Sequence, residues 1–132
     1  MLALMALTVA AVGTASAAKA PKPKKYATTI TTVEGRTAPG PDGLAPEILG
    51  QLGSKDAACL KSRTVTATFL ANSGTSIPVP DAKTLTDGSW SVSLAPELAN
   101  TGGTIEVAVR SKGLGAKGSC GSATKKVVDT VL

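Results

Sequence analysis

The sequence predicts an all-β protein, a single antiparallel β-sandwich of about seven short strands, Ig-like or transthyretin-like in outline. Three observations carry that expectation. From Tyr26 onward the texture is Thr, Val, Ser and Gly, with no stretch of helical period. Three runs alternate apolar and polar residues with period two. Turn residues separate those runs at close intervals.

Each element follows in chain order. TTITTV, residues 28–33, is dense in β-branched residues and reads as a first strand. TAPGPDGLAP, residues 37–46, reads as a loop because Pro, Gly and Asp crowd it. Residues 47–54 read as a weaker strand interrupted by Gly50, or as one helical turn after Pro46. RTVTATFL, residues 63–70, is the strongest strand, with Val65, Ala67 and Phe69 on one face and Thr64, Thr66 and Thr68 on the other. Prolines 78 and 80 limit residues 77–80 to an edge strand or a loop. Asp87-Gly88 is a hairpin turn signal, since tight hairpins need positive φ, and residues 83–86 are expected to pair with the run after it. In that run Trp90, Val92 and Leu94 point inward and Ser89, Ser91 and Ser93 outward. TIEVAVR, residues 104–110, places Ile105, Val107 and Val109 inward. The Gly-rich stretch 111–122 reads as a mobile hairpin loop that Cys120 ties down, and residues 123–132 as a last strand. The expected core is therefore Val65, Phe69, Trp90, Val92, Leu94, Ile105, Val107 and Val109.

Residues 1–18 have the texture of a secretory signal peptide. Leu2 to Val12 is almost purely apolar, and Ala15-Ser16-Ala17 is an A-x-A cleavage signature, although no Lys or Arg precedes the apolar run. Gly13, Thr14 and Ser16 break the run short of the roughly 20 residues that a span needs, so no transmembrane anchor is expected after cleavage. Residues 19–27 read as a basic, Pro- and Lys-rich leader, extended and solvated. Residues 28–132 form the sandwich domain. The expected location is secreted or cell-surface.

Charge points away from nucleic acid. The formal net charge is +5, but Lys19, Lys22, Lys24 and Lys25 supply most of it. The rest holds 10 basic and 9 acidic residues, without a basic face interleaved with aromatics. Only Tyr26, Phe69 and Trp90 are aromatic, so the core rests on aliphatic side chains that bury less area each. A small domain of this kind gains from a staple. Cys59 and Cys120 are the only cysteines, and an even count in an exported chain reads as one disulfide.

The Thr86-Asp87-Gly88 turn with Trp90 and Val92, followed by Ile105, Val107 and Val109, resembles the carboxypeptidase-regulatory-like and Cna-B-like β-sandwiches of secreted bacterial proteins. The resemblance spans roughly residues 28–131. It implies a non-catalytic spacer or adhesion module. Cna-B-like modules often carry an internal Lys–Asn cross-link. Here the only asparagines, Asn72 and Asn100, fall in predicted loops, so that cross-link is not carried over.

Catalytic constellations were sought on the same residues. The chain has no His, which excludes Ser-His and Cys-His nucleophiles. Asp42, Asp56, Asp81 and Asp87 lack calcium-loop spacing. Glu106 and Asp129 fall on outward phases or strand ends. No catalytic, metal or cofactor residues are assigned. The expected function is a structural or interaction module of the cell exterior, the alternative a carbohydrate- or cell-wall-binding module. The partner stays open between an envelope polymer and a protein.

Overall fold

The computed structural model describes residues 23–132. The expected signal peptide and residues 19–22 of the expected leader lie outside that range. The fold is all-β, with no α-helix among the described residues. In place of about seven strands there are eleven, in three sheets.

The first sheet has the order β2-β3-β7: β2 is Thr28–Gly40, β3 is Gly43–Ser54 and β7 is Ser89–Ser93. The second has the order β11-β8-β4-β5: β4 is Thr64–Ala71, β5 is Ser76–Pro78, β8 is Gly102–Val109 and β11 is Ala123–Val131. The two-residue β6, Ala82–Lys83, also pairs with β4. The third and smallest sheet has the order β1-β10-β9, from Lys24–Tyr26, Gly118–Cys120 and Lys112–Gly113. Every pairing is antiparallel except β1 with β10.

Both larger sheets feed one hydrophobic cluster. Ile30, Ile48, Leu52 and Trp90 enter it from the first, and Val65, Phe69, Ile105, Val107 and Val109 from the second. The period-two alternation of β4 and β8 accounts for this directly: each inward residue is buried and its neighbours are not. Val92 and Leu94, expected in the core, are half-buried at its margin instead. Leu94 falls one residue past the strand's end at Ser93, and Val92 lies near that end of a strand with no partner on its outer side, whereas Trp90 lies farther in, over Gly50.

Residues 37–46, expected as a loop, are the outer part of the β2–β3 hairpin. Thr37 pairs with Pro46, Pro39 with Leu44 and Gly40 with Gly43. This ribbon runs beyond the register where β7 pairs with β3, which is Glu47 to Gln51. Past Pro46, whose carbonyl accepts from the Leu94 amide at 2.9 Å, neither outer edge pairs with a third strand, and proline there costs no ladder bond. The same hairpin settles residues 47–54 as strand.

Two further expectations change. Lys24–Tyr26, placed in a solvated leader, pairs with β10 in register Lys24 with Gly118 and Tyr26 with Cys120. The Gly-rich stretch 111–122 is the hairpin expected, but a strand-paired one rather than a loop: Cys120 pairs with Lys112 across a short 3-10 turn at Gly115–Lys117.

Candidate functional site

The disulfide end of the molecule concentrates the chain's unusual chemistry. Cys59 ends a single 3-10 turn, Ala57–Cys59, that Asp56 caps by accepting a hydrogen bond from the Ala58 amide at 2.8 Å. Cys120 closes β10. The two are bonded across 61 residues, with 5.5 Å between Cα atoms, and both are fully buried. A buried structural disulfide points to an oxidising compartment.

Beside it lies a residue that the sequence reading passed over. Arg63 is 1% exposed and faces no carboxylate. Its guanidinium spends its donors on neutral oxygens instead. Nη1 donates to Thr28 Oγ1 at 3.1 Å and to the Cys59 carbonyl at 2.8 Å. Nη2 donates to the Arg110 carbonyl at 2.7 Å and to the Gly121 carbonyl at 2.9 Å. One side chain thereby ties together the start of β2, the cysteine loop, the exit of β8 and the exit of β10. Burial pushes its pKa below the ordinary guanidinium value, yet an arginine stays charged throughout the working range. The signal was present in the sequence. Arg63 precedes Val65, Ala67 and Phe69 in the same period-two phase, so it points into the interior at the sheet's edge.

Asp87 and Gly88 form a tight turn, with the Gly88 amide donating to the Leu85 carbonyl at 3.0 Å and Gly88 at φ 87°. The Leu85 amide donates to the Ser89 carbonyl across it at 2.9 Å, but the pairing goes no further as a ladder. Upstream, β6 pairs with β4; downstream, β7 pairs with β3. The turn therefore carries the chain from one sheet to the other. It is docked on β3, whose Leu52 amide donates to the Gly88 carbonyl at 3.0 Å and whose Gln51 Nε2 donates to the Asp87 carbonyl at 2.5 Å. Asp87 Oδ1 accepts from the Ser89 hydroxyl at 2.6 Å and the Ser89 amide at 2.9 Å, and these bonds hold its carboxyl below the ordinary carboxylate range.

Trp90 is 4% exposed and Phe69 fully buried, while Tyr26 is half-buried. No fully exposed aromatic ring exists among the described residues to stack on a sugar. A surface concavity of about 550 Å³ is lined by Glu34, Arg36, Glu47 and Gln51 together with Leu85. Arg36 and Glu47, paired across β2 and β3, form an ion bond of 2.6 Å there. Among the described residues no group of three or more His, Cys, Asp or Glu side chains converges to hold a metal, and no helix is long and apolar enough to cross a membrane. Comparison with protein-family models, curated proteins and solved structures finds no match for this chain.

Proposed function

We propose that this chain is a non-catalytic β-sandwich module with a structural or interaction role at the cell exterior. The observation that carries the reading is the buried Cys59–Cys120 bond, which staples a domain poor in aromatic core. The apolar segment ending in Ala15-Ser16-Ala17 supports export of the same chain. A single sandwich, in the manner of the carboxypeptidase-regulatory-like and Cna-B-like modules, is the architecture we assign. Its support is one core cluster drawn from the two larger sheets, with the third sheet as an appendix at the disulfide end.

Fractionation of the source cells tests this reading, together with pull-down of the purified chain on their envelopes. Recovery outside the cell, with an N-terminus near Lys19, is expected. A protein found in the cytosol with reduced cysteines would end the proposal. A second reading, a carbohydrate- or wall-binding module, draws on the concavity around Glu34, Arg36, Glu47 and Gln51, which offers hydrogen-bonding groups to a polar polymer. Retention on envelopes that Gln51→Ala abolishes, with folding intact, would favour it.

A further inference from the structure

The linear sequence disperses the cations; the fold gathers them. β2, β4 and β11 begin at the disulfide end and β8 finishes there. That end accordingly holds Lys24 and Lys25 on β1, Lys61 after the cysteine turn, Arg110 after β8, Lys112 on β9 and Lys117 before β10. Strand pairings and one hydrogen bond bring them to the same end. Lys24 pairs with Gly118, next to Lys117. Lys112 pairs with Cys120, and its Nζ donates to the Lys61 carbonyl at 3.2 Å. Arg110 and Lys112 line a shallow concavity of about 350 Å³ with the buried Arg63 in its wall.

Most of the acids lie away from this end. Asp42, Glu47, Glu97 and Asp129 sit toward the opposite end, with the β2–β3 turn and the bulged end of β11. Nearer the cations, Asp81 shares the concavity, Asp56 is engaged in capping its turn, and Asp87, in the turn that meets Leu60, is bonded to Ser89. The single ion pair among the described residues, Arg36–Glu47, involves none of the six cations. Five of the six are exposed and Lys112 is half-buried.

We propose that the disulfide end is a docking surface for a flexible linear polyanion. This deepens the reading above, on which it rests, by naming the face and the partner's chemistry. Lysines dominate the cluster, and as compact, flexible point charges they impose no fixed bidentate geometry, which suits a chain of repeated anionic groups better than one planar anion. A bilayer is disfavoured because insertion needs an apolar wedge beside the charges. The exposed Leu44, Leu70, Val128 and Val131 lie toward the opposite end, and Leu85 lines the larger concavity on the flank. Stacking on bases is disfavoured by the absence of an exposed ring.

The test titrates the disulfide-bonded chain with long-chain inorganic polyphosphate across a range of ionic strength. Lys24→Gln/Lys25→Gln is compared with Lys125→Gln/Lys126→Gln, which removes the same charge from β11. The expected result is binding that weakens steeply with salt. The β1 pair should lose about tenfold in affinity and flatten the log–log salt slope by about one per lysine, the β11 pair less than about twofold. Equal losses in both variants would overturn the proposal, since net charge alone would then suffice. So would absence of binding at low salt, or equal affinity for anionic lipid vesicles or for duplex DNA. Salt-resistant envelope retention that the β1 variant leaves intact would sink this face while sparing the exterior module. Cytosolic recovery would instead sink the parent reading. Unchanged thermal midpoints in both variants guard against misfolding.

Discussion

The indole of Trp90 lies directly on the backbone of Gly50. The two residues are paired across β3 and β7, and a Cβ built on Gly50 would meet Trp90 Cζ2 at 2.5 Å and Cε2 at 2.7 Å. Gly50 looks like an interruption when β3 is read alone. In the sheet it is the space that the only tryptophan occupies, the close approach for which strand glycines are kept.

Gly50→Ala is therefore expected to destabilise the domain by about 1–3 kcal/mol, the usual cost of overpacking. The Thr32 carbonyl, 2.6 Å from the same Cβ, prevents easy relief. Part of that cost should vanish in a Trp90→Leu background, so a double-mutant cycle in urea should show positive coupling. Additive effects would mean that the indole is not what Gly50 accommodates. Trp90 itself should emit as a buried indole, shielded from soluble quenchers. Its Nε1 has no hydrogen-bond partner among the described residues, so Trp90→Phe should cost less than the truncation of a fully satisfied tryptophan.

How much of this was legible follows from the same residues. The alternation of residues 63–70 and 104–110 foretold their buried faces, because period two is a property of any half-buried strand. The cysteine pairing followed from count and compartment. Five of the eleven strands hold only two or three residues, too few for any pattern to register. Residues 37–46 misled because composition records the prolines but not that they sit in a two-stranded ribbon where a missing N–H breaks no ladder bond. Val92 and Leu94 shared Trp90's phase, but burial along an edge strand depends on where the residue falls and what lies opposite it, which for Trp90 is Gly50. The cationic end was invisible because charge counts along the chain ignore where strand ends meet.

Arg63 should be among the least replaceable side chains. Arg63→Met leaves four acceptors without their donor: Thr28 Oγ1 and the carbonyls of Cys59, Arg110 and Gly121. Unmade bonds of this kind cost about 1–3 kcal/mol each, and water can reach those at the edge, so a net loss of about 3 kcal/mol is expected. Arg63→Lys should recover only part of it, because an ammonium cannot span the same fork. Urea midpoints at constant m-value would measure both. A neutral Arg63→Met variant would refute the role given to this residue.

Replacing both Cys59 and Cys120 by alanine should lower stability by about 4 kcal/mol, the loop-closure entropy returned to the unfolded chain by a 61-residue separation. The loss should exceed that of either larger sheet's exposed polar substitutions, which lie within about 0.5 kcal/mol. Alkylation of the denatured, unreduced protein should label no thiol. Two labelled cysteines would contradict the pairing.

The sheet-to-sheet corner predicts a pH dependence whose sign is fixed by Asp87. Both Ser89 donors favour the ionised carboxylate, so its folded pKa lies below that of the unfolded chain, about 3.9. A depressed acid contributes stability that is present in full above the unfolded pKa and is lost as pH falls through the folded one. Asp87→Asn keeps an acceptor at Oδ1 but removes the charge. Its stability deficit should therefore be constant from about pH 5 to 8 and shrink only below the ordinary carboxylate pKa of about 3.9. Ser89→Ala removes the 2.6 Å donor and should raise the Asp87 midpoint toward the ordinary value. Carboxyl-detected NMR titration of both proteins reads these midpoints directly. An Asp87 midpoint at or above the ordinary value in the native protein would mean that the Ser89 bonds do not hold the corner in solution.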